Sequence, residues 1–129
     1  MERRRNGVLV FDRAGEVMAF PRVEDAAAYM ESIDVLDGEY ESVYTPEGYV
    51  VTITGVVDGP VSLLVSTERD EAGLRDRLER ARDRVLFVAD VDDPASVANE
   101  LMRQEWESTW PRRPKWLRRR LHGDHPPQI

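Results

Sequence analysis

Few residues in this chain belong to types that carry covalent or metal chemistry, and their placement argues against such a role. The two histidines, His122 and His125, sit in a polar stretch ahead of Pro126-Pro127, and there is no cysteine. A serine nucleophile needs a base held rigidly beside it, which a histidine in so polar a segment does not supply. His122-Gly123-Asp124-His125 offers two imidazoles and a carboxylate, but no further ligand lies near it in the sequence, and ordinary solvation accounts for it. Asp90, Asp92 and Asp93 invite a calcium reading. A calcium loop starting at Asp90 needs glycine at its sixth position and a carboxylate at its twelfth, and those positions hold Ala95 and Leu101. Helix capping explains the three acids. With 25 carboxylates in the chain a close acid pair can arise by chance, but acid–base work needs one member raised in an apolar pocket, and nothing marks one. Neither glycine-rich phosphate-binding motif is present. No enzyme activity, metal or cofactor is therefore expected.

Charge carries more information. The net charge of −7 is unevenly divided: residues 1–5 hold three Arg and one Glu, and residues 111–129 hold five Arg, Lys115 and Asp124. The stretch 6–110 between them sets nine Arg against 23 carboxylates. Within it, residues 23–68 contain no Lys or Arg yet carry ten carboxylates. A field of this sign repels nucleic acid and membrane surfaces and attracts basic proteins. Acidity for solubility alone is the plain alternative. Tyr40, Tyr44 and Tyr49 fall among the acids, however, and tyrosine supplies rigid amphipathic contact area at interfaces. The residues expected to meet a basic partner are Glu31, Asp34, Asp37, Glu39, Tyr40, Glu41, Tyr44 and Tyr49.

The elements that must position these residues read as α+β. An antiparallel sheet of about five strands, an N-terminal hairpin plus a three-strand meander, is packed by two or three helices. Val8–Phe11 and Glu16–Phe20 flank Asp12-Arg13-Ala14-Gly15 as a hairpin, and Pro21, which has no N–H for a ladder, stops the second strand. Val23, Ala26, Ala27 and Met30 recur at helical spacing and predict a helix over about 23–32, with Gly38 marking a turn beyond it. Tyr40–Tyr44, Tyr49–Val57 and Val61–Ser66 form the meander. Its turns are Thr45-Pro46-Glu47-Gly48 and Asp58-Gly59. Leu74, Leu78, Ala81, Val85 and Val88 repeat at 4,3,4,3 spacing and predict one helix over 71–88. The competing reading ends that helix near Arg84 and makes Val85–Ala89 a strand. Asp93-Pro94 supplies an N-cap and first residue for a helix over 94–109, with Val97, Leu101 and Trp106 turned inward and Pro111 ending it.

At 129 residues the chain suits one domain, spanning 1–110, that buries about 65–70% of its unfolded surface without staples. A basic tail over 111–129 follows it. No run reaches the length of a membrane span. The apolar run Val8–Phe11 is too short for a secretory signal, so a cytoplasmic location is expected. In the tail, Arg112, Arg113, Trp116, Arg118, Arg119 and Arg120 mix charge and aromatic surface. This mixture is compatible with nucleic acid, although the acidic body opposes any polyanion. The tail can equally fold back on that body.

Phe20 through Val35, running on to Asp37-Gly38-Glu39-Tyr40 and Tyr44-Thr45-Pro46-Glu47-Gly48, resembles small actinobacterial proteins with an E-x-A-x-x-Y-[LM]-E-x-I-D-V…G-E-Y…Y-D-x-x-G pattern. These look like immunity proteins of polymorphic toxin systems. The match covers about residues 20–50, and Thr45 stands where the pattern has aspartate. The resemblance implies a protein that binds and neutralises a cognate toxin, often a basic nuclease, by blocking its active site. The expected function is thus a non-enzymatic inhibitor acting through an acidic face. The alternative is a regulatory or nucleic-acid-associated adaptor acting through the basic tail.

Overall fold

Asp12 begins a tight reversal in which the Gly15 N–H donates to the Asp12 carbonyl at 3.1 Å and the Asp12 N–H to the Glu16 carbonyl at 3.1 Å. It joins β1 (Val8–Asp12) to β2 (Val17–Phe20), which pair antiparallel from Val8 opposite Phe20 to Phe11 opposite Val17. The computed structural model describes residues 7–30, 35–55 and 59–109. It continues with α1 (Val23–Tyr29), β3 (Tyr40–Tyr44), β4 (Tyr49–Thr54), β5 (Ser62–Arg69), α2 (Glu71–Ala81) and α3 (Pro94–Thr109). The strands form one antiparallel sheet in the order β2-β1-β3-β4-β5. The expected hairpin, meander and α+β class are therefore as read. β5 runs three residues beyond the predicted end, β4 stops at Thr54 rather than Val57, and α1 stops at Tyr29, where Met30 turns extended, rather than near residue 32. Asp58 of the predicted second turn lies outside the described residues.

Both faces of the sheet are covered. Leu9, Phe11, Val17 and Tyr44 face α2 and α3, meeting Leu74, Leu78, Ala81, Val97, Ala98 and Leu101. Val8, Val10, Val43 and Val51 face the other way and meet Ala26 of α1 and Met30 just after it. β1 sits between the two cores, which explains its unbroken apolar run where a one-sided strand would alternate.

The last third departs from expectation in one place. The predicted helix over 71–88 ends at Ala81, and the competing strand over 85–89 is not formed either. Leu74, Leu78 and Ala81 keep helical spacing into the core. After a turn through Arg82–Arg84, the chain alternates instead. Val85, Phe87 and Ala89 pack inward, while Leu86 and Val88 are 83% and 84% exposed. The segment is extended but lies against a helix, so side chains complete its hydrogen bonds. Glu100 accepts from the Val88 and Ala89 N–H groups at 2.8 and 3.0 Å, and Gln104 Nε2 donates to the Leu86 carbonyl at 2.9 Å. Val85 kept the 4,3 spacing by coincidence: a helix and an extended segment deliver apolar residues to the same core. α3 is as predicted, with Asp93 accepting from the Ser96 N–H at 3.3 Å. Val97 and Leu101 are buried and Trp106 is half-buried.

These contacts fix which way the helices run. The Asp70 N–H donates to the Gly48 carbonyl at 2.8 Å, so α2 starts at the β3–β4 turn. A Cβ on Gly48, whose φ is +94°, would lie 2.7 Å from Glu71 Cγ and 3.3 Å from its Cα. Only glycine lets turn and helix approach this closely. α2 ends toward the β1–β2 turn, where Arg84 lies beside Gly15. The extended segment then returns to Val91 and Pro94, which share a cleft with Pro46 and Gly48. α3 descends again, with Glu100 level with Ala89 and Gln104 with Leu86. It therefore ends at the same end of the sheet as the β1–β2 turn. Among the described residues, no helix is long and apolar enough to cross a membrane.

Leu78, on the inner face of α2, is fully buried in the core between that helix and the sheet. Leu78→Ala should lower unfolding free energy by about 2–5 kcal/mol in a denaturant titration. Leu86→Ala, at a mostly exposed position, should stay within about 0.5 kcal/mol of the parent chain.

Candidate functional site

The predicted contact residues converge on one irregularity of the sheet. β3 pairs with β1 as far as Asp12 opposite Tyr40, with a register shift between Phe11, opposite Ser42, and Asp12. Glu41 is the extra residue. A bulge of this kind re-aims side chains. Tyr40 joins the α1-side core with Val43 and Val51, while Glu41 turns to α2 and accepts from Arg77 Nη1 at 2.6 Å. On its other edge, β3 pairs with β4 only at Val43–Val51 and Tyr44–Val50. The strands then part toward Tyr40 and Thr54. A cleft of about 300 Å³ opens in the fork, lined by Val35, Tyr40, Glu41, Ser42, Val50 and Ile53.

The passage from α1 to β3 joins two residues that line this cleft, Val35 and Tyr40. Asp37-Gly38 forms the predicted turn, with Gly38 at φ +76°. Arg13 ties that passage to the β1–β2 turn. Its backbone N–H donates to the Glu39 carbonyl at 2.8 Å, and its guanidinium to the Asp37 carbonyl and the Glu39 carboxylate at 3.4 and 3.3 Å. Leu36, just over half exposed, adds an apolar edge. The lining is thus mostly aliphatic and phenolic, with Glu41 its one carboxylate among the described residues.

Arg77 links the rim to the core. Its Nε donates to the Tyr44 hydroxyl at 3.4 Å, which in turn donates to Asp70 Oδ2 at 3.3 Å, while Asp70 Oδ1 caps α2 by accepting from the Gly73 N–H at 3.0 Å. Partial burial works against the Arg77 charge, but hydrogen bonds to Tyr44 and Glu41 outweigh it and hold the guanidinium above its ordinary pKa.

The structure sorts the predicted contact residues. Tyr40, Glu41 and Tyr44 line the cleft, while Asp37 and Glu39 lie on the passage between the lining residues Val35 and Tyr40 and are tied to Arg13. Tyr44 is only 4% exposed and packs edge-on against Phe11, so it serves the core as well as the cleft wall. Strand alternation sends it to the opposite face from Val43. Tyr49 stands at the far end of the sheet, its ring under the Arg69 guanidinium at 5.2 Å. Glu31 and Asp34 lie outside the described residues, as do Arg112, Arg113, Trp116, Arg118, Arg119, Arg120 and both histidines. Sequence reading missed Arg13 and Arg77 as counter-ions, because their partners lie 26 and 36 residues away. It also missed Ile53, whose alternation within β4 was the available signal.

The described residues comprise 20 carboxylates and nine arginines, so the surface stays strongly acidic after local pairing. Asp90 and Asp93 accept backbone N–H groups, and Asp92 pairs with Arg75 at 2.6 Å. Among the described residues no group of three or more His, Cys, Asp or Glu could hold a metal ion. The single carboxylate lining the cleft, Glu41, is already engaged by Arg77. An arrangement of apolar floor and acidic rim can seat an amphipathic basic segment. Comparison with known proteins gave no matching family model, curated protein or solved structure.

Tyr44→Phe removes a hydroxyl with two partners from the edge of the core. It should cost about 1–2 kcal/mol in unfolding free energy, read by denaturant titration, without changing the far-ultraviolet circular dichroism.

Proposed function

We propose that this protein is a non-enzymatic binding module of the cytoplasm that inhibits a basic protein, in the manner of an immunity protein, by presenting the acidic mouth of the β3/β4 cleft. The observation that carries this reading is the apolar cleft that Tyr40 helps to line, with the Glu41 carboxylate on its wall and the acid-bearing passage through Asp37 and Glu39 joining its lining residues Val35 and Tyr40. The rim already accepts guanidinium groups from Arg13 and Arg77. The Arg13–Glu39 pair is exposed, and pairs of this kind contribute only about 0–1 kcal/mol, so a partner's arginine can exchange with Arg13 at little cost, whereas Arg77 is partly buried and keeps its hold on Glu41. The resemblance of residues 20–50 to immunity proteins supports the same reading. The surplus of carboxylates would steer a basic partner toward the surface and hasten encounter.

The test is parallel capture from host lysate at low salt, using the parent chain and the Asp37→Lys/Glu39→Lys variant as baits. The parent should retain a basic protein that the variant does not. With that protein purified, its association rate should drop by about tenfold or more between low and high salt. Equal retention by both baits, or an association rate indifferent to salt, would remove the acidic rim from the interface.

A further inference from the structure

We propose that, in the absence of a partner, the β3/β4 cleft is occupied by the chain's own segment 111–129, with Trp116 and Leu117 entering it and Arg118, Arg119 and Arg120 meeting Asp37, Glu39 and Glu41. The inference rests on reading the cleft as a binding site, though not on the existence of any partner.

Three observations meet in it. The first is chemical fit. The cleft joins an apolar floor (Val35, Tyr40, Val50, Ile53) to the Glu41 carboxylate, and the passage between Val35 and Tyr40 carries exposed Leu36 together with Asp37 and Glu39. Segment 111–129 joins Trp116, Leu117 and Leu121 to five Arg and a Lys. No other part of the chain combines apolar side chains with such an excess of positive charge. The second is where the segment starts. α3 ends at Thr109 at the β1–β2 turn end of the sheet, as its contacts with the 85–89 segment require. The fork opens toward that same end, since β3 and β4 pair only near their shared turn. The third is reach. α3 packs over β2, and the cleft lies beyond β1 and β3. Strand spacings of about 4.8 Å and a layer separation of about 10 Å put it roughly 15–20 Å away. Six residues, 110–115, span roughly 20 Å when extended. Trp116 is therefore the first large apolar side chain able to arrive.

Such an intramolecular contact works at high effective concentration, so each contact can be weak and still hold the cleft closed. A partner must displace it, and the segment raises the affinity threshold for binding.

The chain contains no cysteine, which permits a direct test. Leu121→Cys in the full chain is tagged with a nitroxide, and amide intensities are read by heteronuclear NMR. The proposal expects selective loss of intensity at Tyr40, Glu41, Ser42 and Ile53, recovered in an Arg118→Glu/Arg119→Glu/Arg120→Glu background and in high salt. Loss spread evenly over the surface, or centred on Leu86 and Val88, overturns it. So does loss that survives the charge reversal. A mixture of spin-labelled chain in natural isotope abundance with unlabelled nitrogen-15 chain separates contact within a chain from contact between copies. Broadening in that mixture equal to that within one chain would assign the cleft to a second copy instead. None of these readouts involves a partner, so failure here leaves the capture result standing, and failure of the capture leaves this contact standing.

Discussion

Burial of β1 from both sides is the constraint on which the rest of the structure depends. Val8, Leu9 and Val10 have no exposed surface, and both apolar cores pass through them. A strand buried on both faces requires helices on both faces, and α1 takes one while α2 and α3 share the other. Coverage then thins with distance from β1. By β4 and β5 the outward residues Thr52, Thr54, Ser62 and Leu64 are exposed, and between β3 and β4 the sheet itself divides. The cleft forms where the helices no longer hold both strands against a common layer.

The bulge at Glu41 turns that division into a site with two chemistries. Strict alternation would have sent Tyr40 and Tyr44 to one face and Glu41 to the other. The extra residue puts the phenol against the aliphatic floor and the carboxylate beside Arg77. Arg13 does the corresponding work outside, pinning the passage from α1 onto the β1–β2 turn through backbone as well as side-chain groups. The acids are therefore held in place by groups of the same kind that a basic partner would bring.

Much of this was legible in the sequence. The hairpin, the meander and the start of α3 follow from turn residues and a proline at the first helical position, all local signals. β3 was bounded at Tyr40 and Tyr44 by such signals alone. The 85–89 segment was not legible, because its backbone partners are Glu100 and Gln104, which no pattern within the segment announces. Of the contact residues, the sequence located the acid-rich passage but could not tell Tyr40 from Tyr44. Both are tyrosines on one strand, and their separation depends on a register shift set by β1. The long-range pairs of Arg13 and Arg77 were invisible for the same reason.

β5 carries an uncharged run, Ser62 to Thr67, as the edge strand of the sheet among the described residues, with Leu64 72% exposed. Opposite Val50, however, three of its residues stand against one, because Tyr49 faces Arg69 while Val51 faces Val65. Ser66 plugs the irregularity by donating to the Val50 carbonyl at 2.7 Å and accepting from the Glu68 N–H at 3.2 Å. The straight portion of the edge is left only four residues long, from Ser62 to Val65. Edges that short and that twisted make poor templates for further strands. The leucine–valine strand at this margin thus offers little straight backbone to a further strand, and the Ser66 hydroxyl helps to hold the irregularity that shortens it.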